Sequence, residues 1–337
     1  MTRNAVRHRA RRDVSVLRIG SSTAEDVIGL VSIVARRHLV VRLANQLVRI
    51  HGAAYRERSP RMTRGRSIPC LRCVRSHGAA TRQDGAAGRE VLDVLYWFVY
   101  ESLTWNAVAA VLPEGRSLRI LDAGGGSGKY GALFAERGHH VTVLDLSPGM
   151  LEQAKARFAQ RGLLARAAFE VGTIVSLPFA DGAFDLVFCE GDPVSYCTSQ
   201  YREAIAELCR VAAAGAYVVL GVDNRQSYFL GALESGKKAE AMDILLTGRA
   251  TCPYGLPVHA FTLRELEEAV DAAGAEVVEI FGKPILFREM LEALGAARGP
   301  GFDPWEARQE FLALQERIAH EGYATAGGHL QVMARRR

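Results

Sequence analysis

The chain contains no lysine before Lys129 and no apolar run of the length a membrane span needs. A bilayer-crossing helix takes about 20 consecutive apolar residues, and the best stretch, 27–41, is broken by Arg36, Arg37 and His38. A transmembrane protein is therefore not expected. Cysteine is scarce as well: Cys70, Cys73, Cys189, Cys197, Cys209 and Cys252 are scattered over 337 residues. That spacing is not a disulfide framework and fits a reduced, cytoplasmic protein. Cys70 and Cys73 with His77 make half of a zinc site, since no second pair follows at the right distance, and no metal is expected.

Acidic side chains are short in one place only. Residues 1–88 carry 18 arginines against five acids (Asp13, Glu25, Asp26, Glu57, Asp84), while the remainder carries 24 basic and 32 acidic residues. The net charge of +5 thus sums two unlike pieces and does not by itself mark a nucleic-acid binder. The first piece lacks a periodic apolar face. It reads as a poorly ordered Arg-rich extension, or as one translated from a start codon upstream of the native one, with Met62 an internal start. An RNA- or DNA-binding arm and a targeting segment are the competing readings.

From Arg89 the pattern changes. Val91, Leu92, Leu95, Phe98, Val99 and Leu103 recur at helical spacing, and Pro113-Glu114-Gly115 follows as a stop. Short apolar runs then alternate with helical stretches. Strands are expected at 118–122, 141–145, 167–171, 184–189, 216–222, 275–281 and 329–334. Helices are expected near 129–137, 148–161, 199–213, 262–273 and 303–321. Such alternation predicts an α/β fold, a doubly wound, mostly parallel seven-stranded sheet covered on both faces. The last strand follows a helical stretch and is the one expected to enter antiparallel. Residues 89–337 thus read as one domain, with 223–258 an insertion long enough to cap a site.

The glycine-rich stretch 122–131 joins the first strand to a helix, at the edge where such sheets bind ligands. A phosphate-binding P-loop fails here, because Ala123 stands where its first glycine belongs and Tyr130 where Ser or Thr should follow Lys129. A dinucleotide fingerprint can be laid on Gly126, Gly128 and Gly131, but Asp122, Ala123, Gly124 and Gly125 intervene before it. The remaining pattern is Asp122, Gly124, Gly126 and Gly128 at alternate positions. An acid at the strand tip repels a pyrophosphate and suits a ligand bearing an ammonium and a sulfonium.

With these residues the chain resembles the class I S-adenosylmethionine-dependent methyltransferases, of the type 11-like kind, over nearly all of 89–337. The stretch 141–151 is similar to the family's second strand, and 177–187 to the approach to its fourth. The stretches 207–215 and 261–275 are similar to its later helices. The resemblance implies a Rossmann-like fold and S-adenosyl-L-methionine as cofactor. It implies cofactor contacts from Asp122, Ala123, Gly124, Gly126, Gly128 and Tyr130 around the turn. It implies others from Asp145 and Leu146, with the acid on the ribose hydroxyls, from Thr173 and Ile174 at the adenine, and from Glu190 and Gly191 after strand four. Where the family often has Gly-Asp before the adenine contact, this chain has Gly172-Thr173; where it has Pro-Gly-Gly, this chain has Ala214-Gly215-Ala216.

Methyl transfer to oxygen or nitrogen benefits from a positioned base. Glu190 and Asp192 follow strand four, and His259 follows a glycine- and proline-containing loop and titrates near neutrality. These three are the catalytic candidates, although a histidine ahead of a helix also serves in capping and packing. Tyr228, Phe229, Met242 and Tyr254 in the insertion are candidate acceptor contacts. The expected activity is methylation of an O or N atom of a small-molecule acceptor. A nucleic-acid methyltransferase using the arginine arm and an NAD(P)-dependent oxidoreductase remain alternatives.

Overall fold

The computed structural model describes residues 86–319 and 321–337. Residues 1–85 of the arginine-rich segment, with Met62, Cys70, Cys73 and His77, lie outside the described residues, and 86–88 begin a helix. Helix α1 (Ala86–Ala109) buries Leu95, Val99, Leu103 and Val108, one apolar stripe at helical spacing. Then follow β1 (Arg119–Ala123), α2 (Lys129–Glu136), β2 (His140–Asp145), α3 (Pro148–Gln160), β3 (Ala167–Val171) and β4 (Phe184–Cys189). After these come the short α4 (Pro193–Tyr196), α5 (Tyr201–Val211) and β5 (Ala212–Asp223). The insertion folds as α6 (Arg225–Glu234), α7 (Lys238–Thr247) and a small antiparallel pair, β6 (Arg249–Thr251) with β7 (Pro257–His259). The chain ends with α8 (Leu263–Ala272), β8 (Ala275–Ile285), α9 (Phe287–Arg298), α10 (Arg308–Ala319) and β9 (Gly327–Arg336).

Seven strands form one sheet in the order β3-β2-β1-β4-β5-β9-β8. Every pairing among β1 to β5 is parallel, whereas β9 runs antiparallel to both β5 and β8. The central strands are buried on both faces, as covered parallel strands are. One apolar cluster packs α5 and α8 on one face, around Leu208, Leu266 and Val270. The other packs α1, α2, α3, α9 and α10, around Phe134, Phe158 and Phe311. Among the described residues no helix is long and apolar enough to cross a membrane.

The expected strands all form, with β5 and β8 longer than their apolar runs. Helix α9 was not expected; Pro284 and Gly299 bracket its apolar positions and disguise the period. Leu286, at φ 43°, makes the sharp entry to it. The helix expected near 303–321 is the shorter α10, because the chain turns at Asp303, whose carboxylate accepts from the Trp305 amide at 2.7 Å. The antiparallel entry of β9 matters most. It brings the first residues of that strand to the edge where β1, β4 and β5 end.

Candidate active site

The turn after β1 is built from backbone that side chains rarely tolerate. Gly124 and Gly128 have φ of 69°, and Gly126 has 53°. A Cβ on Gly124 would lie 2.5 Å from Pro193 Cγ, and one on Gly128 would lie 2.9 Å from Ala154 Cβ. Asp122 and Ala123 are buried beneath the turn, where Asp122 Oδ2 accepts from the Gly131 amide at 2.9 Å. Burial pushes the Asp122 pKa up to about 7; the Gly131 hydrogen bond opposes this, and the charges of Asp145 and Glu190 add to it. Asp122 therefore organises the turn from below. Asp145, at the tip of β2, accepts from the Gly126 amide at 2.8 Å and the Ser147 amide at 2.9 Å. Its neighbour Leu146 is 73% exposed, a large apolar side chain held out beside the turn. Thr173 Oγ1 accepts from the Val175 amide, and Ile174 belongs to the buried core beside Leu144 and Leu177. The Tyr130 ring packs on Phe188 at 5.0 Å, and its burial raises its pKa well above the usual value.

A second group forms where β4, β5 and β9 meet. Gly191 (φ 87°) and Asp192 (φ 66°) turn the chain sharply after Glu190. His329 Nδ1 lies 3.1 Å from Asp192 Oδ2 and 3.7 Å from Asp223 Oδ1. The strand register sets Asp223 and Lys283 opposite His329 on its two neighbours, so one row carries acid, imidazole and amine. Burial lowers the His329 pKa, but the charge and hydrogen bond of Asp192 and the charge of Asp223 outweigh it, and the net shift is upward. Burial and the Asp192 charge push Asp223 up to about 7, against His329, Tyr228 and Ser195. The ligand atoms of Asp192, Asp223 and His329 lie within 4.8 Å of one another, a set that could hold a divalent ion.

Behind this row lies a buried ion pair. Lys283 Nζ sits 2.5 Å from Glu190 Oε1 and donates to Thr104 Oγ1 at 2.6 Å and to Gln331 Oε1. It also lies 4.2 Å above the Tyr100 ring. The Tyr100 hydroxyl donates to Glu190 Oε1 at 2.5 Å, while Glu190 Oε2 is buried with no partner.

The structure brings Asp122, Ala123, Gly124, Gly126, Gly128, Asp145 and Leu146 together around one turn, and Glu190, Gly191 and Asp192 beside it. His259 is engaged otherwise. Its ring stacks on Tyr201 at 4.5 Å and meets Phe261 edge-on at 4.7 Å, and its Nε2 lies 3.3 Å from Glu265 Oε1. Glu265 closes a capping box with Thr262 at the start of α8 and pairs with Arg225. Of the insertion residues, Tyr228 hydrogen-bonds Asp223, Phe229 is buried, and Met242 and Tyr254 are exposed.

Asp223, Lys283 and His329 were not singled out from sequence. Asp223 ends an apolar strand, which is a readable signal, whereas Lys283 shares β8 with Glu276 and Glu279 and is its one basic residue. His329 could be found only by following the antiparallel entry of the last strand to the ligand edge.

Residues 120–215, from the first strand to the start of the fifth, match the model of a methyltransferase domain family. These residues belong to the class I S-adenosylmethionine-dependent methyltransferases. The seven-stranded sheet is the Rossmann-like sheet of that class. The chain is 39% identical over 101 residues to a malonyl-[acyl-carrier protein] O-methyltransferase of Serratia marcescens, covering 30% of this chain and 36% of that protein. It is 40% identical over 65 residues to the tRNA 5-carboxymethoxyuridine methyltransferase of Escherichia coli, covering 19% and 25%. The match thus spans about a third or less of the length of these relatives. A solved S-adenosylmethionine-dependent methyltransferase of Mesorhizobium loti aligns with 71% of this chain and 100% of its own, at 19% identity and a TM-score of 0.47.

Proposed function

We propose that the protein transfers a methyl group from S-adenosylmethionine to an oxygen or nitrogen of a small-molecule acceptor, with His329 as the base. The observation that carries this reading is the acidic edge beside the glycine turn. Asp122, Asp145, Glu190, Asp192 and Asp223 gather there, and the buried Lys283 has its donors committed to Glu190, Thr104 and Gln331. Such a field repels a pyrophosphate and suits a ligand with an ammonium and a sulfonium. The residues fit that cofactor. Asp145 would hold the ribose hydroxyls, the backbone of Gly124 to Gly128 allows close approach, and Leu146 offers an apolar face to the adenine.

When bound, the sulfonium supplies the methyl group for in-line displacement and leaves as a neutral thioether. The protein's part is orientation, proton removal and exclusion of water; orientation alone can be worth roughly 7–11 kcal/mol. His329 turns Nδ1 toward Asp192 and Asp223, which leaves Nε2 to take a proton from the acceptor. The two carboxylates then stabilise the imidazolium, as an acid does for a histidine base elsewhere. Tyr228 brings the insertion onto Asp223 and so ties the cap to the same row. The His259 assembly instead anchors the end of the cap to α8.

The test is formation of S-adenosylhomocysteine by the purified chain with panels of hydroxyl, carboxyl and amine acceptors, and with transfer RNA. Turnover on a small molecule that falls roughly 10²–10⁴-fold in His329→Gln supports the reading. Turnover on transfer RNA alone, or a His329→Gln variant as active as the parent, contradicts it.

A further inference from the structure

The row of acid and imidazole where β4, β5 and β9 meet is open on one side. The side chains of His329 and Asp192 keep 18% and 13% of their surface exposed, so an acceptor can reach them. The charge of the row is unbalanced. Lys283, the next cation along it, is buried and has its donors on Thr104, Glu190 and Gln331. Arg225, two residues beyond Asp223, donates to the Ala260 carbonyl and to Glu265. Asp192 and Asp223 are left with His329 as their partner, and when both acids are ionised at least one negative charge stays unmatched.

Aromatic rings surround the same two acids. Tyr96 of α1, Tyr196 of α4 and Tyr228 of α6 all lie where the charges of Asp192 and Asp223 act on their hydroxyls. Tyr228 hydrogen-bonds Asp223, and the Tyr100 ring meets the His329 ring edge-on at 5.1 Å. Tyr96 lies so close to the start of β9 that a Cβ on Gly328 would stand 2.6 Å from its hydroxyl. Burial first, and then the two acids, raises the pKa of Tyr96 and Tyr228 above the ordinary 10, so these phenols stay neutral and do not offset or add to the charge.

Resting on the methyltransferase reading, we propose that the acceptor is an amine, bound as its ammonium between Asp192, Asp223 and the tyrosine rings and deprotonated there by His329. A carboxylate or phosphate would enter against two like charges. A carboxylate also needs no base, which would leave His329 without a proton to take. A hydroxyl is neutral and gains little from a second acid. An ammonium pairs with both carboxylates through charge-assisted hydrogen bonds, and aromatic faces attract it further. It gives one proton to His329 Nε2, and the nitrogen lone pair then forms the bond to the methyl carbon. The electrons of the broken sulfur–carbon bond stay on sulfur. The product is a methylated ammonium, and the proton on His329 returns to solvent.

The test measures S-adenosylhomocysteine formation by the full chain with a panel of primary amines, each beside the alcohol and the carboxylate of the same carbon skeleton. Amines should show kcat/KM roughly 10- to 100-fold above their matched alcohols, the difference that hydrogen bonds between charged groups supply, and carboxylates should not react. Asp192→Asn and Asp223→Asn should each cut that ratio about tenfold or more. The ratio compares two acceptors on one protein, so it does not move with the amount of folded material. Tyr196→Leu should raise KM for the best amine about three- to tenfold more than for its alcohol. An alcohol or carboxylate used as well as its amine overturns this proposal and leaves the methyl-transfer reading standing. So does a ratio that neither aspartate variant moves. Turnover of no panel member by a folded chain that binds S-adenosylhomocysteine overturns both.

Discussion

His329 and Asp223 stand opposite each other across the β5–β9 pair, with His329 Nδ1 3.7 Å from Asp223 Oδ1 and 3.1 Å from Asp192 Oδ2. Two acids, one ending β5 and one in the turn after β4, therefore share one imidazole, and all three groups sit at the edge beside the glycine turn. Because the net His329 shift is upward, the base form appears only above the ordinary value of 6.5. The rate should rise with pH along a limb centred above 6.5. In Asp192→Asn the limb should move to lower pH while the plateau falls about tenfold or more. A pH–rate profile of kcat/KM for both proteins checks this, and an unmoved limb would remove His329 from the role.

Stability should follow the same linkage. A histidine whose folded pKa is raised contributes stability below its unfolded value, and the contribution is lost as pH rises through the folded value. His329→Gln should thus be more destabilising at pH 6 than at pH 9, in denaturant titrations of both proteins.

Asp122 reverses the usual carboxylate behaviour and loses stability in the same direction of pH as His329. Its folded pKa of about 7 lies above the ordinary aspartate value of 3.8. The unfolded chain loses this proton first, so stability falls as pH climbs from about 4 to about 7, by roughly 2–4 kcal/mol for a difference of this size. Asp122→Asn should lack that slope and gain on the parent between pH 5 and pH 8 in thermal melts. Parallel melting curves across this window would mean that Asp122 is not held in this condition.

Asp145 joins the turn to β2 through two amides. Asp145→Ala should weaken S-adenosylhomocysteine binding by roughly 10- to 100-fold, because bonds to a charged acceptor are worth about 1.5–3 kcal/mol. Titration of the folded variant measures it.

His259→Ala should behave as a structural substitution. Loss of the Tyr201 stack and the Glu265 contact should lower stability by about 1–2 kcal/mol, within the usual range for such contacts. At saturating acceptor, kcat should change less than threefold. A loss of several hundred-fold with an intact melting curve would return the base to His259.

The sheet was legible because its strands are apolar runs covered on both sides, and the glycine turn because its glycines cluster next to one acid. The acceptor side was much less so. His259 draws notice as a histidine in a glycine-bearing loop, yet what surrounds it is a capping box four residues wide, a local arrangement that spacing cannot tell from a catalytic one. His329 and Lys283 lie 137 and 93 residues from the partners that give them meaning, Asp192 and Glu190. Such contacts come from strand order and register, which no local pattern encodes. The inserted order β5-β9-β8 is the one fact that makes both residues part of the site.

The most direct test of the account is parallel calorimetric titration of the full chain with S-adenosylmethionine, S-adenosylhomocysteine and NADH. The account predicts that the first two bind, that NADH does not, and that Asp145→Ala weakens both. Binding of NADH without the adenosyl sulfur ligands would contradict it.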